Sequence, residues 1–456
     1  MAHQAESDHV ASLMLSWHSL ELVSCRKIQT LWAGYGSICE VRARATTAAA
    51  AAEVRRLCRT DSDGNAKVAG EDNTFALILK LVAPPPAGPG DHQGNGEEDG
   101  DEGHLRKMLS YEVEQHFYDK LAPRLDPDRA AVARCLASTR DAAGKARAGE
   151  LLDGGRVIAT LMTDLRPDFP VAAGENRRAR LDPRQVHAAL DWLAAFHGAS
   201  RAWVREGESL GELARPPLEE ARRRRAGKRG AGAWLNGGYT YLATRREEYA
   251  ALAADAGSEW SAALCEPMGS SRDGPSVAER VAELLAPRLG SDGDGGGSSR
   301  DRERDAYVSY IHGDVKSENL FATAAGDRVA FFDFQYVGLG LGVCDLAKLF
   351  TCSVPLGLLL TGCEDNARHV PEELRMDDGE RRLLEHYRAR LLELGRFGAD
   401  GGGYDWELFV RHWEAALIDW LRFQMSWGAW GNTEWLEARV RSILRDEGFM
   451  EWLLES

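Results

Sequence analysis

One stretch fixes more about this chain than any other. Residues 310–350 read YIHGDVKSENLFATAAGDRVAFFDFQYVGLGLGVCDLAKLF and set Asp314, Asn319 and Asp333 among apolar runs. Val329–Phe332 has the composition of a short buried strand and Asn319–Ala322 that of its partner, with Gly326-Asp327 as the turn between them. Such a hairpin carries Asn319 and Asp333 to one end of the paired strands. Two oxygen ligands there suit Mg2+, which takes few protein ligands and fills its shell with water and phosphate oxygens. Asp314 lies on the loop just ahead, where a carboxylate can accept a proton from a hydroxyl. Positioned cations and one carboxylate facing a hydroxyl are what phosphoryl transfer asks of a protein. The competing reading is a buried Asp/Asn network that serves stability alone. His312 reads as a packed, hydrogen-bonded loop residue rather than an acid or base.

The pattern His312-Gly313-Asp314-x-x-x-x-Asn319, followed by Asp333-Phe334-Gln335 and then Asp345-Leu346-Ala347, resembles the aminoglycoside phosphotransferase and choline kinase-like group of the protein-kinase-like superfamily. The resemblance implies Asp314 as catalytic base and Asn319 and Asp333 as metal ligands. It implies that Lys316 neutralises the transferred phosphate, and that Asp345 braces the catalytic loop without touching substrate. It also implies an α+β, protein-kinase-like fold of two lobes. Residues 1–163 would form a small lobe, an antiparallel sheet with one helix, and residues 164–456 a mostly helical one. ATP and Mg2+ would sit between them.

Upstream, residues 8–20 predict a short amphipathic helix. Two strands, Cys25–Trp32 and Ile38–Ala45, flank Gly34-Tyr35-Gly36-Ser37. A glycine turn can lay backbone amides over phosphates, or it can be a plain hairpin turn. Thr74–Val82, TFALILKLV, is an apolar strand with one lysine, Lys80. A lysine there is costly unless paired, bound to an anion or snorkelling to water. In the kinase reading Lys80 grips the ATP phosphates and pairs with a glutamate of the helix Arg106–Leu121. Glu114, in Glu114-x-x-Phe117-Tyr118, is the better candidate, and Glu112 its competitor. The Pro-, Gly- and acid-rich run 84–103 predicts an exposed insertion, and 289–305 a second. Strands are expected over Ala130–Ser138 and Arg156–Thr163. Leu161–Leu165 resembles the hinge where backbone groups near Met162 and Thr163 bond adenine.

Further on, helices are expected over Asp182–Trp203, residues 276–288, Gly379–Leu394 and Asp405–Trp427. In the first of these, Trp192–Gly198 resembles the group's L-A-x-F-H segment, with His197 structural. The basic run at 222–225 reads as a solvated face. Trp234–Tyr241 resembles a substrate-side segment without an assignable role. Trp406, Trp413, Trp420 and Trp427 recur every seven residues and drift about 20° per heptad. They read either as core or as rings reaching a cationic substrate. Asp419 is either a further cation contact or a salt-bridge partner of Arg422.

The 456-residue chain carries a net charge of -15, which argues against nucleic acid and suits a cationic substrate. Eight scattered cysteines without CxxC spacing predict reduced thiols in a cytoplasmic protein. No signal peptide or membrane-length apolar run is evident. The expectation is an ATP-dependent kinase acting on a hydroxyl of a small molecule. A protein Ser/Thr kinase is the first rival. The DVKSEN run favours it, but Gly313 replaces the arginine of HRD and Gln335 the glycine of DFG. A choline or ethanolamine kinase proper usually carries HND and DFE. A catalytically silent nucleotide-binding interaction protein is the last rival.

Overall fold

The computed structural model describes residues 2–31, 34–58, 73–83, 102–143, 145–147, 149–150, 157–174, 180–205, 213–228, 230, 232–268, 274–287, 306–361, 370–394 and 403–455. The chain forms two compact units, Met1–Pro170 and Val171–Ser456. Nearly all of the run 84–103, and all of 289–305, lie outside the described residues.

Unit 1 is built on five antiparallel strands in the order β1-β2-β3-β5-β4. These are β1 (Leu20–Thr30), β2 (Gly36–Ala45), β3 (Thr74–Val82), β4 (Cys135–Ser138) and β5 (Ile158–Thr163). The most apolar run, β3, takes the centre, where β2 and β5 pair with both of its edges and leave no backbone of it at an open edge. Polar β1 takes the exposed edge. Helix α1 (Ala2–Ser16) lays Val10, Leu13 and Met14 into the same core as Cys39, Val41, Phe75, Leu77 and Leu79.

The sequence predicts two helices in this unit, over residues 8–20 and Arg106–Leu121, and the unit has three among the described residues. The helix it missed is α2 (Ala48–Cys58), AAAAAEVRRLC. Alanine is the strongest helix former, but a run of alanines shows no apolar periodicity. Helix α3 (Glu102–His116) begins inside the segment assigned to the insertion and continues through a π-turn, Phe117–Leu121. The strand expected from Ala130 is shorter. Ala130–Ala133 are buried but outside β4, and the Arg134 guanidinium ties the approach to the Ala122 and Leu125 carbonyls.

Unit 2 is mostly helical. Among its described residues are two small sheets, β6 (Val171–Ala172) with β8 (Leu320–Ala322) and β9 (Val329–Phe331), and β7 (Val308–Ile311) with β10 (Gly338–Leu341). The helices are α4 (Pro183–Arg205), α5 (Pro217–Arg225), α6 (Arg246–Ala254), α7 (Glu259–Cys265), α8 (Val277–Leu285), α9 (Val343–Cys352), α10 (Leu356–Leu359), α11 (Asp378–Leu394), α12 (Trp406–Trp427), α13 (Thr433–Leu444) and α14 (Glu447–Glu455). A buried ion pair ties three of them together. Glu380 of α11 accepts from Arg439 of α13 at 2.9 Å and from the Trp413 indole of α12 at 2.8 Å. The basic run in α5 is partly structural, since Arg223 and Arg224 pair with the fully buried Glu220. No helix among the described residues is long and apolar enough to cross a membrane.

The tryptophan stripe on α12 splits. Trp413 and Trp420 are core, Trp406 is half-buried, and Trp427 is 51% exposed. The drift of a seven-residue repeat rotates the last ring off the buried face. Asp419 pairs with Arg422 at 2.8 Å, so the salt-bridge alternative is the one observed.

Candidate active site

The β8–β9 hairpin forms as its sequence requires. Leu320 pairs with Phe331, and the Phe332 N–H donates to the Asn319 carbonyl at 3.0 Å. That register sets Asn319 beside the Phe332–Asp333 step, at one end of the ladder. Asp333 has φ +66°, a left-handed conformation uncommon for any residue but glycine and, to a lesser degree, Asn and Asp.

Asn319 reaches back to the loop before it. Its Nδ2 donates to the Asp314 carbonyl at 2.8 Å and to the Asp314 Oδ2 at 3.0 Å. Lys316 Nζ donates to the same Oδ2 at 2.9 Å. Asp314 is thus held by two side chains, both on one carboxylate oxygen. Burial pushes its pKa up, but the Lys316 charge and hydrogen bond, with His312 and Asn319, outweigh this and leave it below the usual carboxylate value. Lys316 shows the reverse balance: burial pulls its pKa down, and Asp314 lifts it above the ordinary lysine value. The sequence assigned Lys316 to phosphate, and here it lies against Asp314.

Asp345, in the first turn of α9, is fully buried and holds the loop from behind. It accepts the His312 N–H at 2.7 Å and the Gly313 N–H at 2.8 Å. His197 of α4 bonds it through Nε2 at 3.1 Å, and His197 Nδ1 meets the Tyr387 hydroxyl of α11 at 2.7 Å. One tautomer satisfies both contacts, with Nε2–H donating to Asp345 and Nδ1 accepting from Tyr387. Burial raises the Asp345 pKa, and His197, Lys348 and His312 more than reverse it. His312 is buried; its Nε2 meets the Phe332 carbonyl at 3.0 Å, and desolvation lowers its pKa. His312 and His197 are therefore loop and helix braces.

Any other residue at Gly313 would force its neighbours to move. Its φ is +85°, and a Cβ would lie 2.3 Å from the Tyr336 carbonyl oxygen. The segment Trp234–Tyr241 runs alongside. Trp234, Gly237 and Gly238 donate to the carbonyls of Val337, Leu339 and Tyr336, and the Tyr239 N–H donates to the Gly313 carbonyl at 3.0 Å. The sequence left this segment without a role. It supports the 313–339 loop, by backbone bonds that no side-chain pattern announces.

In unit 1, Lys80 pairs with Glu114 at 2.5 Å, and the two side chains are 10% and 6% exposed. Lys80 also lies 5.6 Å from the Tyr111 ring centre. Gly36 opens β2 opposite Val82, and its Cβ would lie 2.0 Å from the Leu81 carbonyl oxygen. Close approach of β3 thus accounts for this glycine without a ligand. Gly34, with φ +75°, faces open space, and the buried Ser37 hydroxyl lies 3.7 Å from the Cys39 sulfur. At the expected hinge, the Thr163 N–H donates to the Arg134 carbonyl and its hydroxyl accepts the Arg134 N–H, both at 2.9 Å, which leaves the hydroxyl proton to donate elsewhere. Met162 is buried in the β5 ladder between Ile78 and Cys135.

Among the described residues no cluster of three or more His, Cys, Asp or Glu side chains forms a metal site. Asn319 and Asp333 nevertheless fit a hard cation. The Asn319 amide nitrogen is committed to Asp314, which directs its oxygen elsewhere as a ligand.

The chain thus has an α+β fold, with an antiparallel sheet in unit 1 and a mostly helical unit 2, and carries a braced HGD loop and a paired strand lysine. Residues 95–369, more than half of the chain, match the ecdysteroid kinase-like family, and the chain belongs to that family. Among solved structures it is similar to a macrolide 2′-phosphotransferase of Brachybacterium faecium, at 14% identity over 95% of this chain and 97% of that one, with a TM-score of 0.37. It is also similar to the ethanolamine kinase of Plasmodium vivax, at 10% identity over 95% and 84% with a TM-score of 0.35. A third similarity is to a choline kinase of Streptococcus pneumoniae, at 11% identity over 100% and 99% with a TM-score of 0.34. No curated protein sequence matches the chain.

Proposed function

We propose that this small-molecule kinase transfers the γ-phosphate of Mg-ATP to a hydroxyl of its acceptor, with Asp314 as the base. The observation that carries the reading is the fixing of Asp314. Lys316 and Asn319 both bond its Oδ2, which leaves Oδ1 for the acceptor hydroxyl. A carboxylate held ionised and oriented in this way can take the hydroxyl proton as the phosphoryl group departs from ADP. Asn319, through its amide oxygen, and Asp333 are the residues that would hold the metal. A bound Mg2+ supplies charge neutralisation on the phosphate oxygens.

Lys80, oriented by Glu114, binds the α- and β-phosphates, and Lys316 neutralises the transferred group as it leaves Asp314 for it. The 34–37 turn contributes backbone amides of Gly34, Gly36 and Ser37 to the phosphates. Met162 supports the adenine. Thr163, whose N–H is engaged by the Arg134 carbonyl, flanks it at the end of β5.

The test is ADP release from Mg-ATP against pools of neutral polyols and sterols, amino-alcohols, amino-sugars and a generic peptide. Stimulation by one small-molecule pool, reduced about 100-fold or more in Asp314→Asn, is the expected result. An Asp314→Asn enzyme of wild-type rate, or stimulation by peptide alone, would overturn the reading.

A further inference from the structure

Arg245 is fully buried where the Leu242–Thr244 turn meets α6, and it sits inside a ring of aromatic side chains. Its guanidinium carbon is 3.8 Å from the Tyr239 ring centre, 5.3 Å from that of Phe423 and 5.3 Å from that of Trp427. The rings brace one another, Tyr239 standing edge-on to Phe423 at 5.4 Å and to Tyr336 at 4.7 Å. Arg245 Nε donates to the Tyr239 carbonyl at 2.8 Å and Nη1 to Glu248 at 2.9 Å, while Nη2 is buried without a hydrogen-bond partner among the described residues.

This cage lies against the loop that carries Asp314. The Tyr239 N–H bonds the Gly313 carbonyl, and the Tyr336 carbonyl oxygen packs over the Gly313 α-carbon. Aromatic faces converging on one point form a receptor for a cation, as in the recognition of quaternary amines. Here the chain supplies the cation itself. Burial acts to discharge Arg245, but Tyr239, Tyr336 and Glu248 more than offset it and its pKa is raised, so the group stays charged.

We propose that Arg245 is a specificity-determining residue: it fills the aromatic cage beside Gly313 and Asp314, so the kinase admits hydroxylated acceptors that lack an amine cation and refuses those that carry one. A second cation at the cage would meet a like charge and would find the inner ring faces taken. The outer face of Trp427, which is 51% exposed, is left for the uncharged body of the acceptor. This inference rests on the phosphotransferase reading and narrows its substrate class, against the cationic substrate that the acidic net charge suggests.

The test uses the full chain as wild type, Arg245→Ala and Arg245→Met, each checked for wild-type circular dichroism. Tetramethylammonium chloride is titrated without ATP, and tryptophan emission is read. Arg245→Ala opens the cage and should bind the ion at least about tenfold more tightly than wild type, whereas Arg245→Met, which refills the space without charge, should not. A folded Arg245→Ala protein that binds no more tightly overturns the inference. The wild-type arm needs no variant: preferential phosphorylation of choline or an amino-sugar over uncharged polyols and sterols overturns it as well. Absence of ADP release with every acceptor would instead overturn the phosphotransferase reading, while the ATP-free titration still reads the cage.

Discussion

Replacing Asp345 by asparagine tests the brace behind the HGD loop with a single change of atom type. The carboxylate accepts three bonds, from His312 N–H at 2.7 Å, Gly313 N–H at 2.8 Å and His197 Nε2 at 3.1 Å. An amide offers one oxygen and turns an NH2 toward the remaining donor. One buried N–H is then unmet, which costs about 1–3 kcal/mol, and loss of the charge-assisted bond to His197 adds about 1 kcal/mol. The expected destabilisation is therefore about 2–4 kcal/mol, a large share of the roughly 5–15 kcal/mol typical of a folded protein. Urea unfolding followed by tryptophan emission reports on unit 2, since every tryptophan but Trp17 and Trp32 lies there.

The pH dependence has a fixed sign. The folded Asp345 pKa lies below its unfolded value of about 3.9, so its contribution is fully present above that value. It is lost as pH falls through the folded pKa, and the gap between wild type and Asp345→Asn should narrow from about pH 5 towards pH 3. Because the loop carries Asp314, kcat should fall about 100-fold while the nucleotide KM changes little. A variant within about 0.5 kcal/mol of wild type at pH 7, with unchanged kcat, would refute the brace.

Lys80→Met strands Glu114 in a buried site and should cost unit 1 about 3–5 kcal/mol, seen as a lower thermal midpoint. The same change should weaken ATP binding at least about tenfold in a direct titration; unaltered affinity would remove Lys80 from the phosphate site. Gly313→Ala must move the Tyr336 carbonyl, and it should abolish turnover while costing about 1–3 kcal/mol in urea unfolding. Gly34→Ala, with a positive φ but open space around it, should cost only about 1 kcal/mol, and equal effects at the two glycines would show that packing against Tyr336 is not what fixes Gly313.

Much of this protein was legible in one dimension because its signals are local. The β8–β9 hairpin needed only two apolar runs and a Gly-Asp turn, and it brought Asn319 to Asp333 as the spacing required. The choice of Glu114 over Glu112 rested on the Glu114-x-x-Phe117-Tyr118 pattern, and Lys80 pairs with Glu114 in the fold. Where the local signal was weak, the reading erred. The alanines of α2 gave no periodicity.

The sequence by itself determined the chemistry of the loop: which carboxylate, which amide, and the strand that presents them. Only the tertiary structure decided what holds that loop and what stands beside it. His197 and Tyr387 are 190 residues apart, yet they finish the brace that starts at Asp345. Arg245 enters an aromatic cage whose walls come from Tyr239 on one side and Phe423 and Trp427 of α12 on the other. Spacing along the chain is set by backbone geometry and can be read from sequence. Contacts between distant helices depend on how whole faces pack, and that is settled only when the core closes.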